Sequence, residues 1–312
     1  MSGRILLDGS LSRLYMHFDR PDHPAQGMDV WGDRAYVLYD TGLCGVYDLI
    51  SRSSKPIDLF KLGSHNEGIP TRDYRNHANS CMFAAHCAPG NHIPLLYVTA
   101  GAGTGADEDG YFYRCAVENL VCVRDQAGRE RYRAQTIQTI TYRPGDMTGL
   151  MYENPCWGCP AFFVDSAEKS LYIFSARYRT KRGFVPEGEK NTYLITRFRL
   201  PELSEGSFIR LTPQDILDQF TAPSDVMFTQ GGTLCGHWLV YTFGIPKYDY
   251  PNRILAFDMK KRCIGAQIDH LDQALCMEEI ECCAVYKGKL LCNTSAGGIY
   301  EIRTAPFREE TT

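Results

Sequence analysis

Gln26-Gly27-Met28-Asp29-Val30-Trp31-Gly32-Asp33-Arg34-Ala35-Tyr36-Val37-Leu38-Tyr39-Asp40-Thr41-Gly42-Leu43-Cys44-Gly45-Val46-Tyr47-Asp48-Leu49 is the stretch that decides the fold. A polar opener leads a short strand as far as Trp31, Gly32-Asp33-Arg34 turns the chain, and Ala35 to Tyr39 returns as a run rich in aromatic and β-branched residues. A second turn at Asp40-Thr41-Gly42 starts Cys44 to Leu49. Short alternating runs punctuated by Gly and Asp read as an antiparallel meander.

The pattern recurs. Later openers are His77-Ala78-Asn79-Ser80, Trp157-Gly158-Cys159-Pro160, Asp225-Val226-Met227-Phe228 and Glu279-Ile280-Glu281-Cys282. Their following strands are Leu95 to Thr99, Ser170 to Ser175, Trp238 to Thr242 and Lys289 to Asn293. The repeats run over about 26 to 64, 75 to 144, 154 to 212 and 224 to 270, and from 278 onward. Self-similarity at this spacing, with about four strands per unit, is the signature of propeller blades. The fifth repeat shows only about three strands, whereas Arg13-Leu14-Tyr15-Met16-His17-Phe18 is a strand with no repeat of its own. Pairing the two would close a ring and cover a sheet edge. The expectation is an all-β, five-bladed β-propeller over 1–312 as a single domain, sealed by the N-terminal strand pairing with the last blade. One helix is expected at 213–220: Thr212 suits the N-cap, Pro213 the first position and Asp215 a capping box, with Ile216, Leu217 and Phe220 on one face.

The 312 residues are 44% hydrophobic and 22% charged, with a formal net charge of -4. Nothing marks a clustered basic face, so no nucleic-acid partner is expected. No apolar stretch approaches the roughly 18 residues of a membrane span, and Met1 to Asp8 lacks a signal-peptide core, so the expected location is cytoplasmic, off the membrane. The 13 cysteines are odd in number and spread along the chain. Cys44, Cys81, Cys115, Cys122, Cys235, Cys282, Cys283 and Cys292 sit in or beside apolar runs, as free thiols buried in a reducing compartment would.

In a propeller the innermost strands begin together on one face, so the openers become neighbours. Gln26, His77, Asn79, Trp157, Gln230, Glu278, Glu279 and Glu281 are expected around the axis. Convergent polar groups beside an aromatic wall suit a ligand site; the same residues could instead satisfy buried backbone or hold water. His77 and Glu281 are the candidates for proton transfer. Side chains alternate along a strand, so Glu279 and Glu281 should share a face and Glu278 oppose them. Such a pair could serve as a glycosidase-like acid and base or help ligate a divalent cation such as calcium.

Three other motifs read more blandly. Cys156-Trp157-Gly158-Cys159 has CxxC spacing but no second pair and no βαβ context, which leaves two cysteines in a turn. Gly101 to Gly110 lacks the Lys-Ser/Thr ending of a phosphate loop and reads as a hairpin tip. The run Arg177-Tyr178-Arg179-Thr180-Lys181-Arg182 is a solvated connection or, folded over the axis, a contact for an anion.

Through Gln26-Gly27, His77-x-Asn79, Glu279-x-Glu281 and strands such as Gly45-Val46-Tyr47-Asp48-Leu49, the chain resembles the five-bladed β-propellers of the teichoic-acid-biosynthesis and phage receptor-binding group. The resemblance spans about 26 to 302 and implies the five-bladed fold. Phage members act outside the cell, in contrast to the reducing interior that the cysteines suggest. Three function classes remain open. The first is a binding propeller whose polar axial pocket takes a sugar, glycan or other polar small molecule. The second is a hydrolase or lyase acting on a glycan or phosphoester through His77 and a carboxylate. The third is a protein-interaction scaffold, for which an axis plugged by side chains is expected.

Overall fold

The computed structural model describes residues 7–19, 23–64, 78–100, 114–142, 151–155, 157–178, 185–222 and 228–304. Five small sheets stand in a ring, as the repeats predict. Strand β1 is Leu7–His17. The first blade is β2 (Ala25–Trp31), β3 (Arg34–Tyr39), β4 (Leu43–Asp48) and β5 (Asp58–Lys61); the second is β6 (Ser80–Cys87), β7 (Pro94–Ala100), β8 (Arg114–Arg124) and β9 (Glu130–Tyr142). The third is β10 (Trp157–Asp165), β11 (Ser170–Ala176), β12 (Tyr193–Arg199) and β14 (Ile216–Ala222), with β13 (Phe208–Leu211) inserted in sequence before its last strand. The fourth is β15 (Thr229–Cys235), β16 (Trp238–Ile245), β17 (Tyr250–Asp258) and β18 (Cys263–Ile268). The fifth is β19 (Ile280–Tyr286), β20 (Lys289–Thr294), β21 (Gly298–Thr304) and, on its outer edge, β1. β1 pairs antiparallel with β21, Leu7 opposite Thr304 and His17 opposite Gly298, which is the expected closure.

Both faces of every blade are buried, which explains why the second strands read as continuous apolar runs rather than strict alternations. Along β3, Tyr36 and Leu38 pack toward the second blade while Ala35, Val37 and Tyr39 pack toward the fifth. The apolar interior therefore divides into five clusters, one at each blade-to-blade contact. The densest in aromatics lies between blades three and four, where Phe174 stacks on Tyr193 at 4.8 Å and on Tyr241 at 4.2 Å. Each fully buried side chain of this kind contributes roughly 1.5–3 kcal/mol.

The helix expected at 213–220 is absent: Pro213–Asp215 makes one 3-10 turn and β14 begins at once. The capping signals are present, with Thr212 N and Oγ1 donating to Asp215 Oδ2 at 2.8 Å, but they cap that single turn. The open edge of β12 needs a fourth strand, and pairing from Tyr193↔Ala222 to Phe198↔Ile216 overrides local helix preference. Upstream, β13 leaves its own blade and lies parallel on β9 of the second, Phe208 opposite Thr139, strapping two blades together.

Candidate functional site

The inner strands β2, β6, β10, β15 and β19 all begin at one end of the ring, here called the mouth, and contact one another around the axis. Four of them are irregular at that end: β10 carries two extra residues between Trp157↔Ala176 and Ala161↔Phe174, and β2, β15 and β19 carry one each. In these last three, pairing jumps from Ala25↔Tyr39 to Met28↔Val37, from Thr229↔Phe243 to Gly232↔Tyr241 and from Ile280↔Thr294 to Cys282↔Asn293. Each is a β-bulge that frees the polar residue at its centre from the ladder, as bulges do. The bulges fall at Gln26-Gly27, Gln230-Gly231 and Glu281.

The bulges are stitched across blades. Thr242 Oγ1 donates to Gly231 O (2.7 Å) and lies 2.9 Å from Glu281 O, while Gly231 N donates to that hydroxyl at 3.1 Å. Asn293 takes Cys282 N at 3.1 Å and donates to Gln26 O at 2.7 Å. Asn79 Nδ2 donates to Gln230 O at 3.1 Å, and Gly27 N donates to Ala78 O at 2.9 Å. Glycine is required at 231, where a Cβ would meet Asn79 O at 2.5 Å and Cys282 Sγ at 2.7 Å. The Cys282 thiol in turn lies 3.5 Å from Met28 O and 3.6 Å from Gly232 O. Backbone from four blades and one thiol thus meet at this level, and these contacts tie the openers to one another.

Here the structure brings together Asn79, Gln230, Glu279 and Glu281. Gln230 Nε2 donates to Glu279 Oε1 at 2.9 Å and to Gly244 O at 3.0 Å. Glu279 also meets Lys247 Nζ at 3.6 Å. Glu281 is 2% exposed, and among the described residues none donates a hydrogen bond to its carboxyl. Burial pushes that carboxyl well above the usual carboxylate range; Glu279 and Asp40 push it further, against a partial offset from Lys247. A shift in that direction favours the protonated acid over the carboxylate. Gln26 adjoins it through Asn293, is 5% exposed, and has a buried Oε1 with no hydrogen-bond partner among the described residues.

Of the remaining expected residues, Trp157 heads β10 and is half-buried. Glu278 lies just ahead of β19, outside the strand on which alternation was expected, and its carboxylate accepts from the Thr294 hydroxyl. His77, Cys156 and the segment Gly101 to Gly110 lie outside the described residues. Arg177 does not stand free for an anion, because Glu153 accepts from its Nε at 2.9 and 2.8 Å and Glu189 lies 3.4 Å from Nη1; 179–182 lie outside the described residues. Among the described residues no group of three His, Cys, Asp or Glu side chains could hold a metal ion, and no helix is long and apolar enough to cross a membrane. Eleven described cysteines are free thiols, with Cys44, Cys81, Cys115, Cys282, Cys283 and Cys292 buried.

Sequence reasoning missed Asp40, Lys247 and Asp29. Asp40 sits in the β3–β4 turn, 3.5 Å from His23 Nδ1, and Lys247 in the β16–β17 turn. Neither belongs to an opener; the turn position after each second strand is the signal that would have found them. Asp29 lies deeper on β2, where Val30 N and Phe83 N donate to its carboxylate at 2.8 and 2.6 Å. Burial nevertheless raises its pKa to about 7.

No family model matches the chain, and no curated protein matches it. Among solved structures, a crystal structure of Myxococcus xanthus glutaminyl cyclase is similar, with 10% identity, a TM-score of 0.48, and coverage of 95% of this chain and 97% of that one. A likeness of that extent carries no argument about chemistry.

Proposed function

We propose that the chain is a ligand-binding propeller whose site is the axial mouth, and that Gln26, Asn79, Trp157, Gln230, Glu279 and Glu281 receive a sugar or another polar small molecule. One observation carries the reading: a bulge on β19 holds the Glu281 carboxyl at the axis, 2% exposed, with no described donor. Isolating a buried acid costs free energy, and a polar ligand that pairs with it recovers that cost. The unpaired Oε1 of Gln26, on the β2 bulge that Asn293 ties to β19, supports the same conclusion.

Thermal-shift profiles of wild type and Glu281→Gln against sugars, phosphosugars and divalent cations test this. A ligand that binds only the folded state must raise its melting temperature. Stabilisation of wild type that the variant loses supports the site; no stabilisation by any of these classes removes the reading and leaves the interaction scaffold.

A second reading, hydrolysis or lysis of a glycan or phosphoester, is favoured by the neighbouring Glu279 and Glu281, one with a cationic partner and the other pushed up in pKa by burial. Release of a chromophore from aryl glycosides or aryl phosphates, lost in both Glu279→Gln and Glu281→Gln, is its expected result.

A further inference from the structure

The β16–β17 turn of blade four stands beside the mouth and carries surface that the polar cluster does not use. It leaves β16 through Gly244, whose φ is +123°, passes the 3-10 turn Pro246–Tyr248 and returns through Asp249 at φ +62°. Its position is fixed. Gly244 N donates to Phe228 O at 3.1 Å, Gly244 O accepts from Gln230 Nε2, and Lys247 reaches back to Glu279. A Cβ at 244 would meet Asn252 Cα and Pro251 O at 2.6 Å, so the turn closes directly on the next strand.

Three aromatic side chains are exposed on this fixed structure: Phe228 at 41%, Tyr248 at 62% and Tyr250 at 42%. Phe228 and Tyr250 pack edge to face at 4.5 Å, and Lys247 Nζ lies 5.2 Å from the Tyr248 ring centre. Scattered exposed hydrophobes need no explanation, but here two rings in contact and a third on the same turn stand on backbone and a lysine that bond Gln230 and Glu279.

We infer that Phe228, Tyr248 and Tyr250 are the apolar wall of the axial site and that its ligand is a pyranose, stacked by its C–H face on these rings with its hydroxyls turned to Gln26, Gln230 and Glu281. This rests on the axial-binding reading. A cyclic sugar matches what the mouth offers: a flat apolar face to lie on the rings, and hydroxyls to donate to Gln26 Oε1 and pair with the Glu281 carboxyl. An acyclic polyol has the same hydroxyls without the face. A phosphorylated sugar would set its charge against Asp40 and Glu279.

The test compares methyl gluco-, galacto- and mannopyranosides with sorbitol, galactitol and mannitol, using saturation-transfer NMR and thermal shift. It uses wild type, Phe228→Ala, Tyr250→Ala, Tyr248→Ala and Glu281→Gln. At least one glycoside is expected to bind wild type through its ring protons while its hexitol does not. Each aromatic truncation is expected to weaken that binding about tenfold, the scale of one aromatic contact. Tyr248→Ala, the most exposed of the three, keeps the test valid if another variant fails to fold, which unliganded melting curves reveal. Equal binding of glycoside and hexitol, or aromatic variants that bind like wild type while Glu281→Gln does not, overturns the platform and leaves the axial site standing. Binding of another polar class but of no glycoside does the same. If nothing binds wild type, both readings fall.

Discussion

Asp29 and Glu281 are both carboxyls on inner strands, both buried and both raised in pKa, yet their surroundings differ. Asp29 lies in the body of the ring and takes two backbone N–H groups, one from its own blade and one from the neighbouring β6. Glu281 lies at a bulge on the mouth, where Thr242 and Asn293 satisfy the surrounding backbone but no described donor reaches the acid itself. The first carboxyl is consumed by architecture. The second is available. Burial of a charge-bearing group does not by itself mark function; what distinguishes the two is where their hydrogen bonds go.

The comparison can be broken most sharply at Asp29. Asp29→Ala leaves Val30 N and Phe83 N without acceptors in a closed interior, and a loss of roughly 3–5 kcal/mol is expected in denaturant unfolding. A loss below about 1 kcal/mol would mean that water replaces the carboxylate and that the two acids are not different in kind. The next effect is a pH dependence. Folding raises the Asp29 pKa from 3.8 to about 7, so the native state binds the proton more tightly. Its contribution to stability is therefore complete below about pH 4 and falls by a few kcal/mol as pH rises toward 7. The raised Glu281 carboxyl acts in the same direction. Melting curves from pH 4 to 8 should show that slope, and Asp29→Asn, which cannot ionise, should flatten it while losing some stability at pH 5.

Smaller effects sharpen the other side. Thr242→Val removes the hydroxyl shared among Gly231 N, Gly231 O and Glu281 O, and about 1–3 kcal/mol should be lost in the same assay. Glu281→Gln should change stability by less than about 1 kcal/mol near neutrality, and at pH 8 should equal or exceed wild type, because the ionisation that burial opposes is gone. A loss like that of Asp29→Ala would make Glu281 structural too. Lys247→Met, at a side chain 63% exposed, should cost under about 1 kcal/mol.

The sequence carried the ring because composition repeats: an opener, a turn and an aromatic or β-branched strand recur, and each second strand is apolar on both parities because each blade is covered on both faces. That Asn79, Gln230 and Glu279 would be neighbours was legible for the same reason, since any strand nearest the axis must start beside its equivalents. The bulges were not legible. A bulge is a mismatch of two strands, and neither Gln26-Gly27 nor Gln230-Gly231 announces it alone. Asp29 was read only as part of an opener, because its acceptor role depends on Phe83 in the next blade. At 213–220 the caps were correctly recognised but the element was not: Thr212 and Asp215 cap one turn, and the bare edge of β12 draws Ile216 onward as strand. Local signals fix where a turn begins; a distant edge decides whether helix or strand comes after it.

The pairing of β1 with β21 also sets an order of events. A chain emerging from its amino end presents first the outermost strand of a sheet whose other three strands are made last, so β1 must wait while four blades form between it and its partner. Until then β1 is a strand without a sheet, the condition under which neighbouring nascent chains exchange strands. Moving β1 behind β21 by circular permutation, with the new start before β2, would turn the longest-range ladder into a local hairpin and allow the last blade to close as soon as it is made.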